Sequence, residues 1–482
     1  MSGITEPSPF VKKILFMAIG SMGDVLPFIN LGVGFSRRGH NVIIAANRRF
    51  KDLIETRGFE FREIRWDMQE EWENTDAGRK MVKHSGSIIL GPPAMFKFLN
   101  QGIQKAYMDA ENVLSDIDFV ILGTGSTYMY PECLVRNIPI AFVCFYPYAS
   151  SKNYAGAIYG QPFNSLQWLP FGMSAKIWSF VDSIATYCSS VGGGAFEINH
   201  VPVLHTLNKH LIEIPPNPKN PFEVQIDYPY LSITDELESF VPPEDLVEWL
   251  SNGNKPIYFG YGSMHSFSDA ESRVRVWLNL HKAISSGRIF IVGHVSHAWL
   301  FPRVSCVVHH GGAGTTHNVA RAGVPHFADQ PWWASILHYL NVAPNNGIPA
   351  QSVTSDKLYK ALLKVLTDEK IHDDAQLLGK TIQKDHVKSA PILDIVSYIE
   401  KYWNRNKWDI ISMNDDESII SIESTTSLET KEDIESDESN DTNDTLDIEE
   451  YIKPNNHLLK QKFIESEFIE SEFIKPDIIP VA

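Results

Sequence analysis

Two apolar segments, each ending in a glycine turn that leads directly into a helix-like pattern, place the strongest constraint on the fold of this chain. The first reads KILFMAIGSMGDVLPF over residues 13–28, and the second reads CVVHHGGAGTTHNVARAG over residues 306–323. A short apolar run bounded by glycine is typical of a strand buried in a parallel sheet. Strand, turn and helix in the same order in both halves predict an α/β fold with two domains.

The remaining pattern extends these two units. We expect a helix that begins at Pro27 and ends before Gly39, because proline favours the start of a helix and glycine its end. Residues 150–235 carry weaker periodicity and include the loop PPNPKNP. The expected strands are residues 12–18, NVIIAA, DFVILGTG, PIAFVCFYP, IYFGYGSM, RIFIVG and CVVHH, and the further expected helices are VPPEDLVEWLSNGNKP and residues 386–404.

Composition excludes several classes of protein. The 482-residue chain has a formal net charge of -17, which argues against a nucleic-acid surface. No segment is long and apolar enough to span a bilayer, and the four cysteines are too far apart for a zinc or disulfide framework. We therefore expect a cytoplasmic protein with at most peripheral membrane contact. From about residue 410, Ser, Asp, Glu, Asn and Thr predominate, which predicts disorder.

The glycine turn of the second segment predicts a phosphate site. Gly311, Gly312 and Gly314 let an anion approach the backbone, and the start of the helix offers N–H groups without intrahelical partners. Thr315 and Thr316 can add hydroxyl donors. An ordinary tight turn between strand and helix is the alternative.

The two adjacent histidines before this turn do not predict a metal site. Neighbouring residues at a strand end point to opposite faces, and no carboxylate or cysteine stands at ligand spacing. We expect His310 to face the anion and His309 to be packed or solvated.

Polar residues near both turns have two interpretations each. Asp24 either faces the cleft between the domains or caps the helix expected near Pro27. Asp329 and Gln330 either bind sugar hydroxyls or belong to a surface loop.

Aromatic residues over 143–184 also have two interpretations. Packing in the core is favoured, because buried aromatic side chains are common. The alternative is an apolar acceptor pocket, which would suit a sterol or another lipid alcohol. Its lining would be Tyr146, Tyr148, Trp168 and Trp178.

These motifs resemble a known family. HHGGAGTT, followed by RAGVP and DQPWW, is similar to the donor-site signature of GT-B glycosyltransferases that use nucleotide sugars. PPEDLVEWLSNGNKPIYFGYGSM and GSMGDVLPFINLGVGFSRRGHNVIIAAN resemble segments of sterol 3-beta-glucosyltransferases and of bacterial antibiotic glycosyltransferases. The resemblance covers roughly residues 12–400, and it is weak over residues 150–235.

The resemblance implies two Rossmann-like domains facing each other across a cleft. The implied parts are an acceptor-binding domain over 1–238, a shortened UDP-sugar-binding domain over 239–385, and a helix over 386–405 that packs back toward the first domain. Composition adds a disordered acidic tail over 406–482.

The resemblance also implies an inverting transfer of glucose from UDP-glucose to a sterol or other lipid hydroxyl, with no metal and no cofactor. Asp24 would be the general base. We expect a monomer whose partners are the UDP-sugar and the lipid, with no nucleic acid. The implied donor-binding residues are Ser21, Gly23, Ser263, Val295, His310, Gly311, Gly312, Ala313, Gly314, Thr315, Asp329 and Gln330.

The chain departs from this family in three places. Met22 stands where the family usually has arginine, and the chain is shorter than the family between Trp277 and Arg288 and between AGVP and DQP. Two alternatives therefore stay open. One is a non-catalytic relative that binds a nucleotide sugar or lipid, and the other is a glycosyltransferase for a different small hydrophobic acceptor.

Overall fold

The structure is a computed structural model, and the residues that it describes all lie within Met1–Ile411. None of the helices among them is both long and apolar enough to cross a lipid bilayer. The acidic tail predicted over 406–482 lies outside the described residues. The described residues are 11–84, 90–146, 173, 176–177, 201–217, 220–229, 240–260, 289–293, 295–319, 322–323, 330–345, 347–348, 354–388 and 390–403.

The first sheet has seven strands in the order β3-β2-β1-β4-β5-β6-β7. All of its strand pairs are parallel. The chain leaves β1 toward one edge and returns to β4 on the other side, so the topological switch lies between β1 and β4. In open parallel sheets, ligands bind at the carboxyl ends of the strands beside such a switch. The strands are β1 (Lys13–Ala18), β2 (Asn41–Ala46), β3 (Glu60–Glu63), β4 (Phe119–Gly123), β5 (Ile140–Cys144), β6 (Val203–Thr206) and β7 (Glu223–Ile226).

Buried apolar side chains cover both faces of this sheet. Alternating residues of β1 divide between the two faces, because successive side chains of a strand point in opposite directions. Leu15 and Met17 pack on one face, and Ile14 and Phe16 pack on the other. The helices of this part are α1 (Met22–Arg37), α2 (Lys51–Glu55), α3 (Met68–Asn74), α4 (Asp76–His84), α5 (Gly91–Tyr107), α6 (Ala110–Val113) and α7 (Tyr130–Val135), with 3-10 turns at Arg48–Phe50 and Thr124–Met129.

The second sheet has three parallel strands, with β9 between β8 and β10. The central strand, β9, is the one that leads into the glycine turn. The prediction of an α/β fold with parallel strands is confirmed. The strands are β8 (Ile257–Gly260), β9 (Cys306–His309) and β10 (Ala322–Gly323), and the helices of this half are α8 (Glu244–Ser251), α9 (His297–Leu300), α10 (Ala313–Asn318), α11 (Gln330–Tyr339), α12 (Ser355–Thr367), α13 (Glu369–Lys388) and α14 (Pro391–Trp403), with a 3-10 turn at Phe301–Arg303.

The predicted start of the first helix at Pro27 is wrong. Helix α1 begins at Met22, and Pro27 lies inside it. Ser21 is the N-cap, and its side chain accepts a hydrogen bond from the backbone N–H of Gly23 at 3.2 Å. A side-chain cap fixes the helix start more directly than the preference of proline for the first turn.

The strand predicted at RIFIVG is also wrong. Residues 289–293 form no strand, and Ile291 is 60% exposed. Phe290 packs against Trp249 of α8 with ring centroids 5.7 Å apart. The segment is therefore held by a side-chain contact with a helix rather than by a ladder of backbone hydrogen bonds. The weakly periodic region, in contrast, contains β6 and β7, which were not predicted.

Helix α14 packs against the first sheet, although it follows the second sheet in the chain. Ile395, Val396 and Ile399 are buried in the same core as Phe16. On α1, a Cβ at Gly34 would lie 2.3 Å from a methyl carbon of Ile392, so glycine permits this close approach. The domain boundaries at residues 238, 385 and 405 stay predictions.

Candidate active site

Asp24 is held in the first turn of α1 by a reciprocal capping arrangement. Its Oδ2 accepts hydrogen bonds from the backbone N–H of Ser21 at 2.7 Å and from the Ser21 hydroxyl at 3.2 Å. Asp24 is thus the N3 residue of a capping box and not the N-cap, so the expectation that it could cap the helix itself is corrected. Gly20 has φ +139°, and a Cβ there would lie 2.1 Å from Oδ2. Glycine therefore makes room for the carboxylate.

The carboxyl group of Asp24 suits a proton acceptor. Burial raises its pKa to about 6, while the hydrogen bonds from Ser21 and the charge of Arg49 oppose that rise. Within the described residues, both hydrogen bonds to this carboxylate go to Oδ2. Oδ1 is therefore left to accept a proton from a bound hydroxyl. A base with a pKa close to neutrality combines a sufficient ionised fraction with adequate basicity.

Arg49 brings a cation to the edge of the same turn. It follows β2, and its guanidinium donates to the carbonyl oxygen of Gly20 at 3.1 Å and to Gln69 Oε1 at 2.8 Å. Asp67 lies 3.4 Å from the same guanidinium. Position 22 holds an exposed methionine, and Arg49 supplies a positive charge beside this turn from the 3-10 turn that follows β2.

The glycine turn after β9 is shaped by the two histidines. The backbone N–H of Gly311, which has φ +88°, donates to His309 Nδ1 at 3.0 Å. The backbone N–H of His310 donates to the carbonyl oxygen of Gly260 at 3.3 Å. Burial, and then the charges of His310 and His297, lower the pKa of His309. The buried His309 is therefore neutral, and it fixes the backbone of the turn.

Helix α10 begins at once after this turn. Gly312 is its N-cap with an extended backbone, and its carbonyl oxygen accepts from the N–H of Thr316 at 2.8 Å. A Cβ at Gly312 would lie 2.4 Å from His310 Nε2, and a Cβ at Gly314 would lie 3.2 Å from the Tyr228 hydroxyl. Side chains of the protein thus lie directly against two of the glycines. Ala313, Gly314 and Thr315 are partly exposed.

Tyr228 links the Asp24 turn to the glycine turn. It follows β7, packs against Phe145 at 6.1 Å, and stacks on His317 of α10 at 4.5 Å between centroids. Burial and then the charge of Asp24 raise its pKa. The described residues therefore place Asp24, Tyr228 and the glycine turn in one region.

The predicted site residues differ in how far the structure describes them. Ser21 and Gly23 adjoin Asp24, and His310 to Thr315 form the glycine turn and the start of α10. Val295 is partly buried and packs against the core around β9. Tyr146 is partly buried and packs against the core cluster that contains Trp332 and Trp333 as well as against the core of the first sheet. Gln330 begins α11. Ser263, Asp329, Tyr148, Trp168 and Trp178 lie outside the described residues.

Three residues at this site were not anticipated: Arg49, Tyr228 and His317. Arg49 had a usable signal, because it follows the carboxyl end of a predicted strand. Tyr228 follows β7, and without that strand its position could not be inferred. Among the described residues, no group of three or more His, Cys, Asp or Glu side chains is arranged to hold a metal ion.

Residues 14–140 match the profile described as "Glycosyltransferase family 28 N-terminal domain". Over these residues the chain is similar to that family's N-terminal domain. The matched segment contains β1, α1 and Asp24, so the capping box lies within the part of the chain that resembles this domain. The match ends at residue 140, at the start of β5.

Curated relatives extend the similarity beyond the family 28 domain. Sterol 3-beta-glucosyltransferase UGT80A2 of Arabidopsis thaliana is 28% identical over 425 residues, which are 77% of this chain and 63% of that protein. A sterol 3-beta-glucosyltransferase of Candida albicans is 28% identical over 461 residues, which are 84% of this chain and 29% of that protein. The chain therefore spans less than two thirds of the length of these relatives.

Solved structures confirm the fold expected around the family 28 domain. The glycosyltransferase SsfS6 of Streptomyces sp. SF2575 superimposes with a TM-score of 0.52 at 17% identity, covering 81% of this chain and 99% of its own. The calicheamicin glycosyltransferase CalG4 gives a TM-score of 0.52 at 13% identity, covering 82% of this chain and 99% of its own. The chain has the GT-B fold of these glycosyltransferases.

Proposed function

We propose that this chain is an inverting glycosyltransferase that moves glucose from UDP-glucose to the hydroxyl group of a sterol or another lipid. The observation that carries the proposal is Asp24, whose carboxyl pKa is raised to about 6 at the carboxyl end of β1, beside the sheet's topological switch. The similarity to sterol 3-beta-glucosyltransferases supports glucose as the sugar and a sterol as the acceptor.

In this reaction Asp24 acts as the general base. Its Oδ1 takes the proton of the acceptor hydroxyl, and the oxygen attacks the anomeric carbon as the bond to the diphosphate oxygen breaks. The electron pair of that bond leaves with UDP. Attack from the face opposite the leaving group converts the α-linked donor to a β-glucoside through an oxocarbenium-like transition state.

The glycine turn after β9 binds the diphosphate in this proposal. Backbone N–H groups at the start of α10 and the positive end of its dipole favour the charge that develops on the leaving group. His310 faces the diphosphate, and no metal is required. The further donor contacts come from Ser21, Gly23, Ser263, Val295, Gly311, Gly312, Ala313, Gly314, Thr315, Asp329 and Gln330.

The acceptor side and the cellular setting complete the proposal. Tyr146, Tyr148, Trp168 and Trp178 line an apolar acceptor pocket. A monomer in the cytoplasm with peripheral membrane contact would reach both the nucleotide sugar and a membrane lipid. In the described residues the thiols of Cys133 and Cys144 are free and buried, as suits a reducing compartment.

A second candidate function is nucleotide-sugar or lipid binding without turnover. The glycine turn favours it in one respect, because His310 lies against Gly312 and Tyr228 lies against Gly314. A diphosphate that approached the backbone on those faces would have to displace these side chains. Asp24 favours catalysis over this alternative, because a carboxyl group with a pKa near neutrality is suited to accept a proton, which binding alone does not require.

A transfer assay with the full chain tests the proposal. The chain is incubated with radiolabelled UDP-glucose and a panel of sterols in mixed micelles, and labelled lipid is counted after extraction. A β-linked steryl glucoside is the expected product. UDP binding in calorimetry without labelled lipid from any sterol would favour the binding protein, whereas product only with other hydrophobic alcohols would change the acceptor class.

A further inference from the structure

The stacked pair Tyr228 and His317 joins the two sheets of the molecule. Tyr228 follows β7 of the first sheet, and His317 lies in α10, directly after the glycine turn of the second. Their ring centroids are 4.5 Å apart with planes inclined by 28°, and both side chains are buried. Aromatic stacking of buried rings favours one relative orientation over others. The pair therefore restricts how α10 can lie against the first sheet.

His317 is oriented by the backbone on both sides of its ring. Nδ1 lies 2.7 Å from the carbonyl oxygen of Ala313, to which it donates, and Nε2 accepts from the backbone N–H of Asn208 at 3.4 Å. Burial lowers its pKa, so the ring is neutral, as this hydrogen-bonding pattern requires. The edge of Trp333 also contacts it, with centroids 5.2 Å apart. His317 is therefore a fixed surface for Tyr228.

Tyr228 is oriented by its own neighbours in the chain. The Asn208 amide donates to both carboxylate oxygens of Asp227, at 3.1 and 3.2 Å, and the backbone N–H of Tyr228 donates to Asp227 Oδ1 at 2.7 Å. On the other side, the Asn30 amide donates to the carbonyl oxygen of Pro229 at 3.1 Å. Asn30 belongs to α1, the helix that carries Asp24, so α1 and the Tyr228 segment are held together.

The position of Tyr228 connects the two parts of the proposed reaction site. Its hydroxyl would lie 3.2 Å from a Cβ at Gly314, and the charge of Asp24 acts on the same hydroxyl. A shift of Tyr228 would therefore change the separation between Asp24 and the glycine turn. In reactions between positioned groups, small displacements of this kind lower the rate strongly.

We propose that Tyr228 is a positioning residue that holds α10 and the glycine turn at the correct distance from Asp24, by stacking its ring on His317. This role rests on the proposed transfer reaction, in which Asp24 is the base and the glycine turn binds the diphosphate. The ring carries the function, so phenylalanine replaces tyrosine whereas an aliphatic side chain does not.

The test combines hydrogen exchange with kinetics on the full chain. In Tyr228→Leu, amide exchange over residues 313–319 is expected to rise about tenfold, because the stacked pair is lost. We expect kcat for transfer to fall about tenfold while the UDP dissociation constant stays within about twofold, because the glycine turn itself is unchanged. Tyr228→Phe is expected to restore both exchange and kcat to near the values of the unmodified chain.

Tyr398→Phe is the matched control, because it removes a hydroxyl that donates to Phe222 O at 3.0 Å on the first sheet. It should change neither measurement. His317→Asn removes the other ring of the stacked pair. Amide exchange over residues 313–319 is expected to rise in this variant as well. It replaces Tyr228→Leu if that variant does not fold. Exchange at control levels in the aliphatic variant, or in His317→Asn where that replaces it, would overturn the positioning role.

The exchange measurement separates this proposal from the proposed function. If the unmodified chain transfers no glucose but exchange over 313–319 rises in Tyr228→Leu, the transfer reaction fails and the stacked contact stands. If transfer proceeds but neither exchange nor kcat responds to Tyr228→Leu, the positioning role fails and the reaction stands.

Discussion

The backbone N–H of Ser21 donates to Asp24 Oδ2 at 2.7 Å. The same carboxylate therefore stabilises the start of α1 and lies at the candidate active site. These two uses are compatible because they employ different oxygen atoms. Oδ2 holds the helix start, and Oδ1 is left for an acceptor hydroxyl. The arrangement fixes the orientation of the base without engaging the oxygen that would accept the proton.

Asp24→Asn is expected to slow transfer by orders of magnitude while UDP still binds. An asparagine oxygen can accept the same hydrogen bonds from Ser21, so α1 keeps its start, but an amide cannot act as a base. The rate should fall by about 10² to 10⁴-fold, the usual contribution of general base catalysis. Steady-state kinetics and calorimetry with UDP measure the two effects.

Asp368→Asn is the control for this substitution. Asp368 accepts from the backbone N–H of Ile371 at 3.3 Å near the start of α13, so it caps a helix without taking part in the reaction. It should leave turnover unchanged. Full activity in Asp24→Asn would remove Asp24 from the role of base.

The pH dependence of kcat/KM is expected to show an acid limb with an apparent pKa near 6. Burial raises the pKa of Asp24 to about 6, and only the ionised carboxylate can take the acceptor proton. Activity should therefore rise as the pH increases through this value. In Arg49→Ala the limb should move to higher pH, because the charge of Arg49 opposes the rise. A limb near pH 4 in the unmodified chain would contradict the buried-base interpretation.

Local signals in the sequence predicted the elements that carry both turns. An apolar run closed by glycine was sufficient for β1 and β9, because each is a short buried strand. The true start of α1 was also visible, since Ser21 and Asp24 have the spacing of a capping box. The capping box sets the start of α1, and the preference of proline for the first turn does not.

The parts that sequence reasoning missed depend on distant contacts. Strand β7, with sequence EVQI, is half-buried and has no apolar run, and it exists because β6 provides a paired edge. Tyr228 follows β7, so its position depends on the pairing of β7 with β6. RIFIVG has a high β-propensity, but residues 289–293 pair with no strand among the described residues. Propensity without a partner strand does not make a strand.

Gly312→Val is expected to weaken UDP binding by about tenfold or more. The backbone of Gly312 has φ -67°, which valine can adopt, so the effect arises from crowding alone. A Cβ there would lie 2.4 Å from His310 Nε2 and would displace the imidazole that is proposed to face the diphosphate. Gly379→Val is the control, because nothing lies within 4 Å of a Cβ at that helical position. Equal UDP affinity in both variants would refute the phosphate site.

Glu400→Gln is expected to loosen the attachment of α14 to the first sheet. Glu400 Oε2 lies 2.6 Å from Arg38 Nη2, and Oε1 lies 2.8 Å from His40 Nε2, which donates because Nδ1 accepts from the Lys12 N–H. Burial would raise the pKa of Glu400, but the hydrogen bonds from Arg38 and His40 lower it overall. Loss of this partly buried charge pair should reduce the free energy of unfolding by about 2 kcal/mol.

The sign of the pH effect follows from the lowered pKa of Glu400. The stabilisation is fully present above the ordinary glutamate pKa of 4.5 and is lost as the pH falls below it, because the unfolded chain binds the proton more readily. The difference in unfolding free energy between Glu400→Gln and the unmodified chain should therefore shrink below pH 4.5. Urea denaturation at several pH values measures it. Asp356→Asn, which breaks an exposed pair with Lys360, is the control and should cost less than about 0.5 kcal/mol. An equal loss in both variants would show that Glu400 is no more than a surface charge.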